Sequence, residues 1–312
     1  MAIYLKEATI KSKFLLLAAL IFVSLTIFSM LSMLLINLIY GINIVSSPDF
    51  LTDFTNNYAI DSLKLMQLLN SVGLFIIPSL VFAMLTSDNA IRYLHLSTKT
   101  KTIFFFLIPL LMICCGPLIN VMAELNLKMQ LPESLKFLEE WMKNSERSAE
   151  KITKAFLEVN TLQELFFNIL LIAVIPAIGE ELLFRGVIQK LCIQGTKNTH
   201  LGVWITAVLF SAMHMQFFGF LPRMLMGALF GYLFVWTNNL WIPILAHFIN
   251  NGVAVTISYL IYNGNIPKES ENMGIHQDDF LFILLGAITV GLFLYFIYEN
   301  RALDEPEPIQ AE

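Results

Sequence analysis

The segment PAIGEELLFRGVIQ, residues 176–189, places two adjacent glutamates and an arginine inside a run of Leu, Ile, Val and Phe. Ionisable side chains within a membrane helix cost about 2.5–3.5 kcal/mol each on insertion scales, so they indicate a functional site. Glu181 and Arg185 are four residues apart and share one helix face, whereas Glu180 is turned about 100° away. An arginine partner favours ionised Glu181. The unpartnered, desolvated Glu180 is therefore the better candidate for general acid–base work.

The composition around this segment is that of a polytopic membrane protein. The chain has 312 residues, of which 57% are hydrophobic and 14% charged, whereas about a quarter of the residues in a soluble domain are charged. These proportions exclude a soluble globular domain and a disordered chain. A net charge of −5 without a basic patch gives no support for nucleic-acid binding. Three cysteines, two of them adjacent in an apolar stretch, predict no disulfide framework.

A requirement of about 20 apolar residues per span predicts an all-α membrane protein, a bundle of about eight transmembrane helices. The spans are predicted near residues 14–40, 63–86, 103–123, 164–193, 201–217, 221–237, 241–263 and 279–298. We divide the chain into N-terminal transmembrane helices (1–123), a polar amphipathic connection (124–160), a core that carries the ionisable residues (161–263), and a last transmembrane helix with a flexible acidic tail (264–312). The connection is predicted to form a helix on the membrane surface or packed over the bundle.

The distribution of Lys and Arg predicts the orientation of the bundle. The segments before span one, between spans two and three, and between spans four and five are basic, whereas loop 41–62 has three aspartates and no Lys or Arg. Because positive charge accumulates in cytoplasmic loops, both termini are predicted to be cytoplasmic. The pattern favours a bacterial inner (plasma) membrane.

Two further predicted spans also contain polar residues within apolar segments. His214 lies in FSAMH, and His247 lies in HFINN with Asn250 and Asn251. At about 1.5 Å per residue, Glu180 and His214 both lie about 21 Å from the predicted cytoplasmic ends of their spans, so they are expected at one depth. His247 and Asn251 share a helix face, which presents two donors suited to an oxyanion.

Several functions remain open from these residues alone. The Glu181–Arg185 pair also suits a structural ion pair, and His214, His247 and Asn251 also suit interhelical packing. The chain has no HExxH zinc helix and no GxSxG nucleophile elbow. The remaining chemistry is acyl hydrolysis inside the membrane, in which a glutamate and a histidine activate a water and His and Asn stabilise the tetrahedral intermediate. The alternatives are a proton-coupled transporter, for which no inverted repeat is found, and a non-enzymatic immunity or scaffold membrane protein.

Three motifs give this polar set a family resemblance. EExxxR (Glu180 to Arg185), FxxxH (Phe210 to His214) and HxxxN (His247 to Asn251) occur in order, each in a separate predicted span. They resemble the motifs of the CAAX protease and bacteriocin-processing family, which includes the type II CAAX prenyl endopeptidases and the bacterial Abi proteins. The resemblance covers residues 165–255 and makes 161–263 a CAAX-protease-like catalytic core.

The resemblance implies an α-helical intramembrane endopeptidase that acts on a membrane-associated protein or peptide within the lipid bilayer. It implies that Glu180 and His214 activate the attacking water and that His247 and Asn251 form an oxyanion hole, with Glu181 and Arg185 supporting the site. Family members are described both as metalloproteases and as glutamate-dependent proteases. Glu180, His214 and His247 could hold Zn²⁺ in the three-ligand manner of a catalytic site. We favour metal-independent catalysis and leave the divalent metal as the alternative.

Overall fold

The computed structural model describes residues 5–129, 132–272 and 280–302, and within them the chain is helical without strands. The main helices are α1 (Ile10–Tyr40), α2 (Asn57–Thr86), α3 (Ile103–Leu127), α4 (Lys136–Leu157), α5 (Leu162–Thr196), α6 (Thr199–Met213), α7 (Phe220–Thr237), α8 (Trp241–Tyr262) and α9 (Phe280–Glu299). Short turns of helix lie at Pro48–Thr52, Ala90–Tyr93, Glu133–Leu135, Phe217–Gly219 and Lys268–Asn272.

The predicted all-α membrane bundle is confirmed. Seven helices within the described residues are long and apolar enough to cross a membrane, namely α1, α2, α3, α5, α7, α8 and α9. The predicted fifth span is shorter than expected: α6 has 15 residues, which is about 22 Å of helix. The division of the chain into four regions stays a prediction, and the predicted acidic tail lies outside the described residues from 303 onward.

Polar side chains cap the N-termini of α5 and α6. At the start of α5, the Thr161 hydroxyl accepts from the Glu164 backbone N–H while the Glu164 carboxylate accepts from that of Thr161, which satisfies two backbone donors without helical partners. Asn198 caps α6 by accepting from the backbone N–H of Leu201 at 3.0 Å. Two residues, Lys197 and Asn198, separate α5 from α6, and the two helices pack against each other as an antiparallel hairpin.

The basic loops gather at one end of the bundle, called here the basic end. Lys6 pairs with Asp88 in the loop after α2 at 2.7 Å, and Lys101 donates to Asn300 at the end of α9 at 3.0 Å. Ala302 N donates to the carbonyl of Trp236 near the end of α7 at 2.9 Å. The segments predicted to be cytoplasmic thus share one end of the molecule. Which side of a membrane that end faces stays a prediction.

The core is built around the second half of α5. Residues 179–187 are all buried, and the apolar side chains of this stretch pack against Phe75 and Phe82 of α2, Phe210 of α6 and Phe234 of α7. By contrast, α1 exposes large side chains such as Phe22 and Leu38 along most of its length. An outward-facing apolar surface around an inward-facing polar centre is what a lipid-embedded site requires.

Helix α4 lies over the bundle, the second of the two positions predicted for the polar connection. Phe156 is buried, and its carbonyl accepts from Asn168 of α5 at 2.6 Å. Trp141 packs on Phe217, with ring centroids 5.5 Å apart, and Glu146 accepts from the backbone N–H of Phe218 at 3.3 Å. Helix α4 therefore covers the connection between α6 and α7 at the end of the bundle opposite to the basic end.

Candidate active site

The two charged residues at the centre of α5 form a fully buried ion pair, as the i,i+4 spacing predicted. Arg185 Nη1 lies 2.7 Å from Glu181 Oε1, and both side chains have 0% exposure. Arg185 Nη2 donates to the carbonyl of Gly227 in α7 at 2.8 Å. The guanidinium also lies 4.8 Å from the centre of the Phe210 ring and 5.4 Å from that of Phe230. A cation over two aromatic faces and beside a carboxylate joins α5 to α6 and α7.

His247 of α8 is held by the same carboxylate. Its Nδ1 lies 2.8 Å from Glu181 Oε1, and its ring stacks on Phe230 at 5.2 Å. An ionised carboxylate only accepts hydrogen bonds, so the proton is on Nδ1. The other nitrogen, Nε2, faces Glu180 Oε2 at 3.9 Å. Glu181 thus orients both Arg185 and His247, and it leaves Nε2 of a neutral His247 as an acceptor.

His214 approaches Glu180 from the other side. It lies one residue after the end of α6, and its Nδ1 is 2.9 Å from the carbonyl of Phe210. A carbonyl only accepts, so Nδ1 carries the proton here as well. Its Nε2 lies 4.0 Å from Glu180 Oε2. The structure therefore brings Glu180 and His214 to one depth, as their distances from the helix ends predicted.

Three acceptor atoms consequently converge at the centre of the site. They are Oε2 of Glu180 and the Nε2 atoms of His214 and His247, and Oε2 of Glu180 is buried without a hydrogen-bond partner among the described residues. Three converging acceptors repel one another unless a proton, a water molecule or a cation joins them. The charges around the site also favour an added proton or cation. Glu180 and Glu181 have one guanidinium near them, that of Arg185, and a buried net negative charge is costly. The arrangement is suited to binding and transferring a proton.

Asn251 makes a different contact from the one its spacing suggested. Its Nδ2 donates to the carbonyl of Ile172 in α5 at 3.1 Å, and Asn250 donates to its Oδ1 at 3.0 Å. Ile172 lies four residues before Pro176, which has no N–H, so this carbonyl loses its usual helical donor. Asn251 supplies that donor. The structure thus gathers the other five predicted residues in one cluster and gives Asn251 a hydrogen bond to the backbone beside it, with its second amide hydrogen remaining.

The three converging side chains are also of the type that bind a metal ion. Imidazole nitrogens and a carboxylate oxygen are ligands that Zn²⁺ prefers, and both Nδ1 atoms are hydrogen-bonded in the way that orients metal-binding histidines. The ligands of a tetrahedral zinc at about 2.0–2.1 Å lie about 3.3 Å from one another, which is closer than the 3.9 and 4.0 Å found here. Among the described residues, no group of three or more His, Cys, Asp or Glu is spaced to hold a metal as it stands. The donor set suits zinc, and the spacing suits a hydrogen-bonded water better.

Exposure decreases from one side of the site to the other. The side chain of His214 is 26% exposed, that of Glu180 10% and that of His247 5%, whereas Glu181 and Arg185 are fully enclosed. Access is therefore at His214, beside the connection between α6 and α7. We call the region formed by His214, Gln216 and Arg223 the mouth of the site.

Sequence reasoning missed some residues that shape the site. The rings of Phe210 and Phe230 and the carbonyl of Gly227 hold Arg185, and nothing in a Phe- and Gly-containing apolar helix marks them. Pro176 in the same segment was one signal. It has no N–H, so the carbonyl of Ile172, four residues upstream, needs another donor, which Asn251 supplies. Arg223 was a further signal, since it is an ionisable residue within a predicted span.

Comparison with known proteins finds a family that matches the segment of the chain containing these residues. Residues 162–253 match the family described as type II CAAX prenyl endopeptidase Rce1-like, so the predicted resemblance is confirmed over the segment that holds all three motifs. Two proteins of Bacillus subtilis (strain 168) are similar. "Uncharacterized protein YpbD" is 33% identical over 106 residues, 33% of this chain and 49% of that protein. "Putative membrane peptidase YdiL" is 27% identical over 121 residues, 39% of this chain and 48% of that protein. The chain spans about half the length of these relatives. No solved structure matches it significantly.

Proposed function

We propose that the protein is an intramembrane endopeptidase that hydrolyses a peptide bond of a membrane-associated protein or peptide. One observation carries the proposal: Nε2 of His214 and Nε2 of His247 both face the unpartnered Oε2 of Glu180, at 4.0 and 3.9 Å. An oxygen that hydrogen-bonds to Glu180 and His214 at about 2.8 Å fits between them with an angle of about 90° at the oxygen. A water in that position donates one hydrogen to each acceptor.

The reaction follows from these contacts. Glu180 takes a proton from the water while the water oxygen forms a bond to the carbonyl carbon of the peptide, and His214 orients the water through its second hydrogen. The carbonyl oxygen becomes negatively charged. Glu180 then delivers the proton to the peptide nitrogen, the carbon–nitrogen bond breaks, and the products are a carboxyl group and an amine.

His247 and Asn251 are proposed to stabilise the oxyanion. Nδ1 of His247 donates its hydrogen bond to Glu181, so Nε2 can donate to the oxyanion only when the ring carries a proton on both nitrogens. With that proton, the cluster of Glu180, Glu181, Arg185 and His247 has no net charge. Asn251 contributes the amide hydrogen that Ile172 does not use. Removing one oxyanion donor typically costs about 10²–10³-fold in kcat.

A metal-dependent form of the same hydrolysis is the second candidate, because the three converging acceptors are zinc-type ligands. Glu180, His214 and His247 would hold the ion, which would supply Lewis acidity and a water that ionises near neutral pH. Metal analysis of the purified protein, together with activity before and after chelation, separates the two forms. Loss of activity on chelation and recovery with Zn²⁺ would favour the metal.

The experiment that tests the proposal compares membrane proteomes of cells that carry the wild-type protein or Glu180→Ala. New peptide termini should appear only with the wild type, and purified protein in liposomes should cleave peptides that span those sites. We expect Glu180→Ala and His214→Ala to lower turnover by at least 10²-fold. Wild-type turnover in either folded variant would refute the proposed chemistry.

The proposed location is a bacterial inner membrane with both termini in the cytoplasm. The support is the collection of basic loops at one end of the bundle, together with the rule that such loops remain cytoplasmic. Labelling of a single cysteine placed in loop 41–56, in an otherwise cysteine-free protein, should succeed from outside the cell. Labelling from the inside alone would reverse the orientation.

A further inference from the structure

The mouth of the site contains a fixed cation. Arg223 is half-buried in the first turn of α7. Its Nη1 donates to the backbone carbonyl of Gln216 at 3.0 Å, and its Nη2 donates to the side-chain Oε1 of the same residue. A glutamine that accepts with both its backbone and its side chain holds the guanidinium in one place, next to the most exposed residue of the site, His214.

Arg223 has no close carboxylate partner. Its charge interacts with those of Glu146 on α4 and Glu180, but no ion pair joins it to a carboxylate among the described residues. Glu146 instead accepts from the backbone N–H of Phe218. Arg185, in contrast, forms an ion pair with Glu181 at 2.7 Å. A half-buried cation is stabilised by an anion, and this one has only distant anions.

The remaining donors of Arg223 suit a carboxylate. A guanidinium has five N–H donors in a planar fork; the two contacts to Gln216 use one hydrogen on each terminal nitrogen. Three donors are left, and guanidinium binds carboxylate through two parallel hydrogen bonds. The negative Glu180 at the centre of the site would otherwise repel an anionic peptide, and Arg223 offsets that charge on the path of access.

We propose that Arg223 is a specificity-determining residue that binds a carboxylate of the peptide substrate at the mouth of the site. The inference rests on the proposed endopeptidase function and adds the chemistry of its substrate. The carboxylate is either the side chain of an acidic residue at a fixed distance from the cleaved bond or the free C-terminus of the peptide.

The test uses synthetic peptides that span the cleavage sites found by the comparison of membrane proteomes. Each peptide is made with its acidic residues or with the matching amides, and with a free or an amidated C-terminus. For the wild-type protein in liposomes, loss of the recognised carboxylate should raise KM at least tenfold and change kcat little. The two series of peptides distinguish a side chain from the C-terminus.

Variants of the protein complete the test. Arg223→Gln should raise KM for the acidic peptide by the same factor and should no longer distinguish acid from amide. Arg223→Lys should keep part of the preference, and Arg223→Glu should favour a peptide with Lys at that position. Arg147→Gln is the matched control, since Arg147 is an exposed arginine on α4 outside the mouth, and it should behave as wild type.

Each other outcome overturns the inference. Wild-type cleavage without preference for a carboxylate, or a preference unchanged in Arg223→Gln, removes the binding role while the endopeptidase stands. An equal loss of kcat for acid and amide peptides in Arg223→Gln assigns the residue to positioning of Glu180 instead. If Glu180→Ala changes no termini in the proteome, the proposed function fails, and the substrate inference fails with it.

Discussion

Replacing Glu181 with Gln tests the buried network that orients the site. The substitution keeps size and shape and removes one charge. Oε1 of Glu181 accepts from Arg185 at 2.7 Å and from His247 at 2.8 Å, and both bonds involve an ionised group. Glutamine can still accept through its oxygen, but Arg185 then lies fully buried without the carboxylate that pairs with it directly.

The magnitude follows from these two bonds. A bond to a charged group contributes about 1.5–3 kcal/mol and a neutral one about 0.5–1.5 kcal/mol. With glutamine the bond from Arg185 still involves a charged donor, so only the bond from His247 becomes neutral, which costs about 1–1.5 kcal/mol. The new amide hydrogens occupy the position of Oε2, which has no partner among the described residues, and this adds about 1–3 kcal/mol. The total, about 2–4.5 kcal/mol, overlaps the usual cost of about 3–5 kcal/mol for removing one partner of a buried ion pair.

The assay is unfolding of the purified protein in detergent, combined with a double-mutant cycle. Because Glu181→Gln and Arg185→Gln each leave a charge unpaired, the double variant should be more stable than the sum of the two losses predicts, by about 2 kcal/mol or more. Glu150→Gln, at an exposed position of α4, should stay within about 0.5 kcal/mol of wild type. The folded Glu181→Gln protein should also lose about 10–100-fold in kcat, because His247 loses the carboxylate that orients its ring.

A small effect would refute the reasoning. Neutral polar contacts between membrane helices contribute about 0.6 kcal/mol on average. If Glu181→Gln costs no more than that, or if the two single losses simply add, the charge of Glu181 contributes nothing and the network is ordinary interhelical packing. Wild-type kcat in a stable Glu181→Gln protein would separately remove its role in orienting His247.

Two further predictions concern packing and pH. At Gly202 of α6, a Cβ would lie 2.8 and 2.9 Å from the backbone N and Cα of Ile193 in α5, so Gly202→Ala should destabilise the protein by about 1–3 kcal/mol in the same unfolding assay. Gly291→Ala in α9 meets nothing within 4 Å and should be neutral or stabilising; equal effects would contradict the packing. Burial, followed by the charge of Lys190, lowers the pKa of His95 to about 4. Between that pH and about 6.5 the unfolded chain binds more protons, so acidification through this range should lower the free energy of unfolding by up to about 3 kcal/mol. His95→Gln should reduce this pH dependence, and an unchanged profile would refute it.

The sequence alone determined the class of the protein and the membership of the polar cluster. Hydropathy predicted about eight membrane helices, of which seven are long enough to cross a bilayer, because apolar runs are local and match the thickness of a bilayer. The fixed 3.6-residue turn placed Glu181 beside Arg185 and turned Glu180 away, and it required no knowledge of the neighbouring helices. Hydropathy did not predict where α6 ends, because the apolar residues continue past Met213. The connection after α6 is held by Asn126, which donates to the carbonyl of Phe217 and accepts from the backbone N–H of Leu221.

Only the tertiary structure decided what each polar group faces. Glu180 meets His214 and His247 across three helices, and the nitrogen that each histidine turns toward it depends on Phe210 and Glu181. Asn251 likewise donates to a carbonyl on another helix. These contacts join residues far apart in the chain, and their geometry is set by how the helices pack. Local periodicity tells which residues share a helix face; it carries no information about the hydrogen bonds made between faces.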